Sequence, residues 1–441
     1  MLNIKKIIKK LIPKVFINWY HFILAYAGAW FYGFPSKKMI VIGVLGTRGK
    51  TTTANLIWSC FTAAGYKTGL TGTANIRIGD EERMNPYHMT MPGRFILQKL
   101  LREMYNSGCR CVVVETPSEG VEQWRHKGIA YDAAVMTTLY PEYLAVHNWS
   151  FERCKDMDEK IFEILYSQSR KKIGGKKIPK VIVVNNEIEE KERFLKHNAD
   201  IKVTYAIHGN ADIVPNDINV SSSQVSFSIS GITYTLGILG DFNVGNALAA
   251  IATVSAYGIS NEATQKGLQN IHLVPGRMEK ISEGQEFSVF VDYAHDAVSI
   301  KAALGSIKNL KKDREGRVIV LLGGQGGGRD KKKRPIMGRI AAEEADFVII
   351  TNEDPYEDNP IQIMEEVARG SEDAGKVREK DLFVVNDRRD GIRKALSLAH
   401  SHDIVLIAGK GAEQSMEVKG GQISWDDRMV VKEELRKIRK K

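Results

Sequence analysis

The chain has 441 residues, of which 43% are hydrophobic and 26% charged, a balance that excludes a disordered, fibrous or polytopic membrane protein. Lysine and arginine number 63 against 53 acidic residues, a net charge of +10, which favours anionic partners such as nucleotides or an acidic membrane surface. The basic residues are spread evenly and form no nucleic-acid motif, so we expect no nucleic-acid partner. Four cysteines in a chain of this length give no disulfide framework and suit a reducing cytoplasm.

The first 38 residues differ in composition from the rest of the chain. They carry seven lysines and no acidic residue, and the stretch from Val15 to Phe34 is apolar and aromatic. Flanking lysines with tryptophan and tyrosine between them suit a helix that lies in the interface of an anionic membrane. A helix packed on the next domain and a membrane-spanning helix are the alternatives. We therefore expect a helical segment over residues 1–38 and leave these roles open.

A phosphate-binding loop is predicted next. Residues 39–45 form a short apolar run typical of a buried parallel strand, and GTRGKTTT at 46–53 follows, ahead of a helical stretch. Strand, glycine loop and helix are the context in which backbone N–H groups bind phosphate. Lys50 would neutralise the β- and γ-phosphates and the Thr51 hydroxyl would bind Mg²⁺. The strict Walker spacing fails because its first position is Val44, but the loop still predicts nucleotide binding.

Short β-branched runs then alternate with helical stretches. These runs lie at residues 181–184, 318–324, 347–351, 382–386 and 403–409. The alternation predicts an α/β fold with parallel strands, and the polar–apolar pattern of residues 225–238 predicts an antiparallel hairpin. A break near residues 274–277 predicts two domains, a central P-loop ATPase domain over 39–277 and a Rossmann-like domain over 278–441. We expect ligands in the cleft where strand carboxyl ends from both domains meet.

The loop GT-x-GK-T-T resembles that of the Mur ligase family, which joins amino acids to peptidoglycan precursors with ATP. The resemblance runs from about residue 39 to the C-terminus, in the family's motif order, and is greatest to the E-type enzymes that add the third amino acid. The matching segments are TMP (90–92), VVVETPSEG (112–120), GDFNVGNALAA (240–250), VPGRME (274–279), VDYAH (291–295), GGGRDKKKRPIMG (326–338) and IAGKGAEQ (407–414).

The resemblance implies a role for each matching residue and makes the second domain a ligase domain. It assigns ATP to Gly46, Thr47, Arg48, Gly49, Lys50, Thr51, Thr52, Asn243, Asn246, Arg277, Asp292 and His295. It assigns Mg²⁺ to Thr51, Thr90 and Glu115. It assigns the substrates to Arg125, Arg329, Asp354, Tyr356, Lys410 and Glu413. The catalytic set that it implies is Lys50, Glu115, His147, Asp158 and Arg277.

Two departures from the family pattern affect its second metal site. The family's metal-binding histidine is replaced by Tyr143, a poor Mg²⁺ ligand, although His147 matches the later histidine. Glu142 either supplies the missing oxygen or is a solvated loop residue. Asp158 stands where the family has a carbamylated lysine, so it keeps the negative charge on a shorter stem. The second metal site is therefore either remodelled or lost, and the intact first set favours remodelled catalysis.

The amino-acid pocket also departs from the family pattern. Diaminopimelate-adding enzymes carry D-N-P-R, in which the arginine binds the distal carboxylate. Here the corresponding residues are Glu353, Asp354, Pro355 and Tyr356. Without the arginine fork a second carboxylate loses its bidentate partner, and two acidic residues instead favour a cationic side chain such as that of lysine or ornithine. A polar turn before a helix is the alternative interpretation, and Ala412 alters the same pocket, so the amino acid stays open.

The expected function is ATP-dependent amide-bond formation through an acyl phosphate. The expected partners are an amino acid and a carboxylate cell-wall precursor. Family members that use UDP-linked precursors usually begin with a further domain, whereas 38 residues precede the ATPase strand here. A ligase for another acceptor, such as a γ-glutamyl polymer or an unconventional wall precursor, and a nucleotide-binding interaction protein that has lost catalysis are the alternatives. We expect a cytoplasmic monomer, with membrane contact through residues 1–38 left open.

Overall fold

The computed structural model describes residues 14–87, 89–140, 150–221, 224–311 and 315–438. The α-helices are α1 (Lys14–Phe31), α2 (Lys50–Ala63), α3 (Arg94–Asn106), α4 (Ser118–Glu122), α5 (Phe151–Ser167), α6 (Lys191–Leu195), α7 (Asn243–Ala256), α8 (Asn261–Asn270), α9 (Ala297–Lys311), α10 (Lys333–Glu344), α11 (Pro360–Asp373), α12 (Arg388–Leu398) and α13 (Asp427–Ile438).

The strands belong to two large sheets and three small ones. Those up to residue 236 are β1 (Ile40–Leu45), β2 (Thr68–Thr71), β3 (Asn75–Ile78), β4 (Glu81–Met84), β5 (Cys111–Glu115), β6 (Ala133–Met136), β7 (Lys172–Ile173), β8 (Lys176–Lys177), β9 (Val181–Asn185), β10 (Ile201–Tyr205), β11 (Asn216–Val220), β12 (Val225–Ile229) and β13 (Ile232–Leu236). The later ones are β14 (Glu279–Ile281), β15 (Ser288–Asp292), β16 (Val318–Gly324), β17 (Phe347–Asn352), β18 (Leu382–Val385), β19 (Ile404–Ala408), β20 (Ser415–Val418) and β21 (Gly421–Ser424).

The first large sheet has the strand order β10-β9-β6-β1-β5-β2-β3-β4. Its strands are parallel from β10 to β2, and β3 and β4 add an antiparallel edge. Successive side chains of a strand point to opposite faces, so Ile42 and Val44 pack with α2 and α7 while Val41 and Leu45 pack with α3 and α5. Both faces are covered, which explains why β1 is apolar throughout instead of alternating.

The second large sheet has the order β14-β15-β19-β16-β17-β18, parallel except for β14. Helices α9, α10 and α11 cover one face and α12 and α13 the other. The strands predicted at 318–324, 347–351, 382–386 and 403–409 are thereby confirmed, as is the α/β fold with parallel sheets. The predicted hairpin is β12 and β13, joined by Ser230 and Gly231, which both have positive φ as a tight two-residue hairpin turn requires.

Helix α1 packs on α3 and on the loop that follows α4. The small residues Ala25 and Ala29 are buried against this surface, and the Arg102 guanidinium donates to the Tyr32 carbonyl at the end of the helix. Among the described residues, no helix combines the length and apolar character needed to cross a membrane.

Candidate active site

A cleft of about 1060 Å³ lies between the two large sheets. Its walls are built at the carboxyl ends of parallel strands, the edge at which α/β proteins bind ligands. The contributing segments are residues 47–52 after β1, Pro117 after β5, residues 293–299 after β15, Gln325 after β16 and Asp354 after β17. The cleft predicted between the two domains is therefore present.

The phosphate loop turns sharply into α2 at Gly49, which has φ of +81°. A Cβ at this position would lie 2.3 Å from Asn246 Oδ1, so both the backbone conformation and the close approach require glycine. Lys50 Nζ donates to the carbonyl oxygens of Gly46 at 2.6 Å and Thr47 at 3.0 Å. The ammonium group is thus held over the loop at the N-terminus of α2, where backbone N–H groups and the helix dipole favour an anion.

Two threonines after β6 fix the outer side of this loop. Thr138 Oγ1 accepts from the Arg48 backbone N–H at 3.0 Å, and Thr137 Oγ1 donates to the Arg48 carbonyl at 2.6 Å. The Thr47 N–H donates to the Thr138 carbonyl at 2.9 Å. Because β6 is the neighbour of β1 in the sheet, the sheet order itself brings these threonines to the loop.

The side chains predicted to hold Mg²⁺ meet around Glu115. Thr51 Oγ1 donates to Glu115 Oε2 at 3.2 Å, while Thr90 reaches the carboxylate through Thr73. The Thr73 hydroxyl lies 3.0 Å from Glu115 Oε2 and 2.9 Å from Thr90 Oγ1, and the Thr73 N–H donates to Glu115 Oε1 at 3.0 Å. The sequence interpretation missed Thr73, although its position just after β2, next to β5, was a usable signal.

Burial raises the pKa of the Glu115 carboxyl, while Lys50 and Arg277 act in the opposite direction. A fully buried carboxylate needs a compensating cation, and hydroxyl and carboxylate oxygens are the ligands that Mg²⁺ prefers. The residues present therefore fit a magnesium ion. Within the described ranges no group of three or more His, Cys, Asp or Glu side chains could hold a metal.

Two arginines connect the walls of the cleft. Arg277 Nη2 donates to Thr51 Oγ1 at 3.1 Å, and its guanidinium lies 4.4 Å from the centre of the Tyr293 ring. From the other side, Arg48 Nη2 lies 2.7 Å from Asp296 Oδ1. These contacts place groups from both sheets around one phosphate site.

Asp296 is a further residue that the sequence interpretation missed. Burial acts to raise the pKa of this carboxyl, but His295 and Arg48 outweigh it and hold the pKa well below its usual range. Asp296 Oδ1 also accepts the backbone N–H groups of Val298 and Ser299, each at 3.0 Å, and so caps α9. The signal was an aspartate directly after the VDYAH motif and ahead of a helical stretch.

Of the residues expected to bind ATP beyond the phosphate loop, Asn246, Asp292 and His295 line the cleft. Asn246 Nδ2 donates to Asn243 Oδ1 at 2.8 Å, so Asn243 contacts the site through its neighbour. The Asp292 carboxylate accepts the backbone N–H groups of Met278 at 2.7 Å and Ala294 at 2.8 Å. Burial raises the pKa of Asp292, and these two bonds fix its orientation toward the cleft.

His295 is neutral at physiological pH. Burial lowers its pKa to about 4, with a smaller contribution from Lys333. Its Nδ1 lies 2.7 Å from the carbonyl oxygen of Tyr293, and a neutral ring must donate there, so Nδ1 carries the proton. His295 therefore offers the cleft an uncharged ring.

On the side of the cleft that the second large sheet builds, Lys410 joins two acidic side chains. Its Nζ lies 2.7 Å from Asp354 Oδ2 and 2.5 Å from Glu413 Oε2, and the Tyr293 hydroxyl donates to Glu413 Oε1 at 3.0 Å. Lys410 itself is fully buried. The ammonium group offsets one of the two negative charges, so the cluster keeps a single net negative charge facing the cleft.

Glu353 lies behind this cluster and does not line the cleft. It is 1% exposed, and a Cβ on Gly409 or Gly323 would lie 2.3 Å or 2.6 Å from its side-chain atoms. Neither carboxyl oxygen has a hydrogen-bond partner among the described residues, and burial raises its pKa to about 7. The sequence suggested that Glu353 and Asp354 together favour a cationic substrate. In the structure only Asp354 lines the cleft, so only Asp354 is in a position to contact such a substrate.

The remaining predicted substrate residues lie on the cleft walls. Arg329 and Tyr356 face the cleft together, and their hydrogen bond raises the pKa of Arg329 against the effect of burial. Arg125 also lines the cleft; its guanidinium donates to the Met91 carbonyl and, at 2.6 Å, to Gln123 Oε1. The structure thus brings five of the six predicted substrate residues to one cavity, and the sixth, Lys410, lies behind its wall in contact with Asp354 and Glu413.

The structure does not bring every predicted catalytic residue to the cleft. Asp158 is buried in α5, where its Oδ1 accepts from Ser118 Oγ at 2.8 Å, and it is not among the residues that line the cleft. His147, like Tyr143 and Glu142, lies outside the described residues. The assignment of Asp158 and His147 to catalysis stays a prediction.

Comparison with known proteins decides the family. Residues 44–254 match the Mur ligase middle domain, and residues 276–411 match the Mur ligase, glutamate ligase domain. The chain is 34% identical to the UDP-N-acetylmuramoyl-L-alanyl-D-glutamate--2,6-diaminopimelate ligase of Geobacillus kaustophilus (strain HTA426), over 91% of this chain and 80% of that one. The chain belongs to the Mur ligase family. This Mur ligase is an ATP-dependent, ADP-forming amide ligase, as the ordered motifs predicted.

Further relatives support the same assignment. This Mur ligase is 35% identical to the UDP-N-acetylmuramyl-tripeptide synthetase of Roseiflexus sp. (strain RS-1), over 92% of this chain and 80% of that one. A solved UDP-N-acetylmuramoyl-L-alanyl-D-glutamate--2,6-diaminopimelate ligase superposes with a TM-score of 0.59 at 26% identity, over 91% and 79% of the two chains. Folylpolyglutamate synthase of Mycobacterium tuberculosis shares the fold, with a TM-score of 0.70 at 16% identity over 95% of each chain.

Proposed function

We propose that this Mur ligase joins an amino acid to the carboxylate of a cell-wall peptide precursor. The observation that carries the proposal is a single cleft that is lined by the phosphate loop from one large sheet and by Asp354 and Glu413 from the other domain. Such a cleft can hold ATP, a carboxylate and an amine at the same time. The names of the relatives, which act on UDP-N-acetylmuramoyl peptides, support the same class of acceptor.

The first step converts the carboxylate into an acyl phosphate. A carboxylate oxygen of the acceptor attacks the γ-phosphorus of ATP, the bond to the β-phosphate oxygen breaks, and ADP leaves. Lys50, the N-terminus of α2 and Arg277 stabilise the charge that builds up on the transferring group. A Mg²⁺ ion held by Thr51, Thr90 and Glu115, with Thr73 in support, would add Lewis-acid stabilisation of the phosphate oxygens.

The second step forms the amide bond. The amine of the amino acid attacks the acyl carbon, the resulting tetrahedral intermediate expels phosphate, and the amine nitrogen gives its proton to the departing phosphate. Asp354 and Glu413, oriented by Lys410 and Tyr293, hold the amino acid beside the acyl phosphate. The Arg277–Thr51 and Arg48–Asp296 contacts keep the two walls together and exclude water, which would otherwise hydrolyse the intermediate.

In this proposal each of the two domains has a separate role. We propose residues 39–277 as the ATP-binding domain and 278–441 as the ligase domain. Arg125, Arg329 and Tyr356 bind the substrates, and the neutral His295 and the fixed Asp292 carboxylate bind the nucleotide. We further propose a cytoplasmic monomer whose residues 1–38 make a peripheral contact with the membrane.

Acceptor-dependent ADP release by the purified full chain tests the proposal. The reaction should need ATP, Mg²⁺, an amino acid and a muramoyl-peptide carboxylate, and mass spectrometry should show a product heavier by one amino-acid residue. Lys50→Ala should abolish turnover while the protein stays folded. Products formed only with a γ-glutamyl acceptor would instead support the alternative ligase. ATP binding without turnover for every amine and carboxylate pair would contradict the proposal.

A further inference from the structure

Helix α1 displays a stripe of large apolar side chains to solvent. Trp19, Ile23, Tyr26 and Trp30 follow one another at three- and four-residue spacing, so they share one face of the helix. They are 65%, 54%, 43% and 74% exposed. A shallow apolar depression of about 500 Å³ runs along this face between Phe22 and Trp30. Contiguous exposed apolar surface of this kind marks an interaction site on a folded protein.

The exposure of this stripe does not come from an unpacked helix, because the opposite face of α1 is closely packed. Gly28 approaches the α3 backbone, where an added Cβ would lie 3.4 Å from the Phe95 Cα. Ala29 is fully buried, and a Cβ on Gly128 would lie 2.5 Å from its methyl group. The helix is therefore fixed on the ATP-binding domain with its aromatic face outward.

The charge around this face identifies the partner. Residues 1–38 contain seven lysines and no acidic residue, and Lys37 and Lys38, beyond the end of α1, are exposed. Tryptophan and tyrosine side chains lie at the headgroup level of a bilayer, and lysines near an anionic leaflet strengthen the attraction to it. An apolar stripe on a segment whose charged side chains are all lysines is complementary to an anionic lipid surface.

We propose that the face of α1 formed by Trp19, Ile23, Tyr26 and Trp30 docks this ligase on an anionic membrane. Docking there also orients the active site. Phe22 packs edge-on against Trp124 with 5.5 Å between the ring centres, and the next residue, Arg125, lines the cleft. The Arg125 end of the cleft consequently lies beside the membrane-facing helix, whereas the Lys410 cluster belongs to the other domain.

Co-sedimentation of the full chain with vesicles tests this docking without reference to turnover. We expect binding to vesicles of phosphatidylcholine with phosphatidylglycerol, and much weaker binding to phosphatidylcholine alone. The double variant Trp19→Ser/Trp30→Ser should lose at least about tenfold in partitioning, because it removes two large apolar side chains that membrane docking would bury. Higher salt should weaken binding without abolishing it.

The matched control is Ile361→Ser/Met429→Ser, which removes two exposed apolar side chains from α11 and α13. The control should bind vesicles like the wild type, and both variants should keep the wild-type thermal midpoint. Failure to bind either vesicle, equal binding to both, or unchanged binding by the tryptophan variant would overturn the proposal. A wild-type dimer in solution that the tryptophan variant converts to monomer would also overturn it, by assigning the face to a second copy.

Discussion

Thr73 holds the buried Glu115 carboxylate by two hydrogen bonds and links it to Thr90. Thr73→Val removes the hydroxyl and keeps the shape of the side chain. We expect ATP turnover to fall by about 10- to 100-fold, the usual effect of losing a side chain that orients a metal ligand. Steady-state ADP release at varied Mg²⁺ concentration measures this, and the Mg²⁺ requirement should rise.

Thr71→Val is the matched control for this prediction. Thr71 is buried two residues earlier, and its hydroxyl has no hydrogen-bond partner among the described residues. We expect it to change turnover and stability little. If Thr73→Val behaved like Thr71→Val, the contact with Glu115 would have no role in the reaction.

Glu353 makes the stability of the fold depend on pH. Burial raises its pKa to about 7 from 4.5, partly offset by Arg388 and Lys410 and increased by Asp354. The protonated carboxyl therefore contributes stability that is fully present below about pH 4.5 and lost as the pH rises through about 7. The side chain of Glu353→Gln stays neutral at every pH. The free energy of unfolding of this variant, relative to that of the wild type, should therefore increase from about pH 5 to about pH 8, by on the order of 2–3 kcal/mol.

Urea unfolding at several pH values checks this sign. Glu357→Gln, which removes an exposed carboxylate four residues away, controls for the loss of a surface charge. A difference between Glu353→Gln and the wild type that is constant across this pH range would show that the Glu353 carboxyl is ionised throughout.

Residues within the ordered motifs could be named from the sequence because each motif fixes a local arrangement of loop and helix. Lys50 over its loop and Lys410 beside Glu413 are such cases. Thr73 and Asp296 could not be named so easily, because their partners come from other strands. The position of Glu353 behind the wall depends on Gly323, 30 residues before it, and on Gly409, 56 residues after it.

At the scale of elements, Asp296 has two tasks, capping α9 and pairing with Arg48. Asp296→Ala should lose both, with a stability loss of about 1 kcal/mol for the cap and a higher KM for ATP. Asp296→Asn keeps an oxygen for the cap and removes the charge. It should therefore keep most of the stability and still raise the KM for ATP, as thermal unfolding and initial-rate kinetics would show. Equal stability losses in both variants would contradict the capping role.

The long central strands were predictable because strands buried on both faces are continuous β-branched runs. The strands β3, β4 and β21 were not, since they are short and partly polar: β4 is EERM and β21 is GQIS, largely exposed. Yet Gln422, Ile423 and Ser424 of β21 line the cleft. Edge strands thus carry site residues while lacking the apolar signal that locates a core strand.

At the scale of the whole molecule, the active site depends on contacts between residues far apart in the chain. Arg277 and Thr51 are separated by 226 positions, and Arg48 and Asp296 by 248. No local pattern contains these pairs, so the sequence predicted the two domains and their facing strand ends but not the side chains that connect them.

The composition of α1 likewise left packing and membrane contact open as alternatives. The structure shows that one face of the helix is packed and the other is exposed.

If α1 docks on an anionic membrane, the ligase should favour an acceptor held in that membrane. Docking places the Arg125 end of the cleft beside the lipid surface, and confinement of enzyme and acceptor to one surface raises their effective concentration. We expect a lipid-anchored muramoyl peptide in anionic vesicles to show a KM at least about tenfold below that of the same peptide free in solution. Trp19→Ser/Trp30→Ser should remove this advantage and leave kcat with the free peptide unchanged. Equal KM values for anchored and free peptide in the wild type, under conditions where it sediments with the vesicles, would mean that docking does not serve acceptor capture.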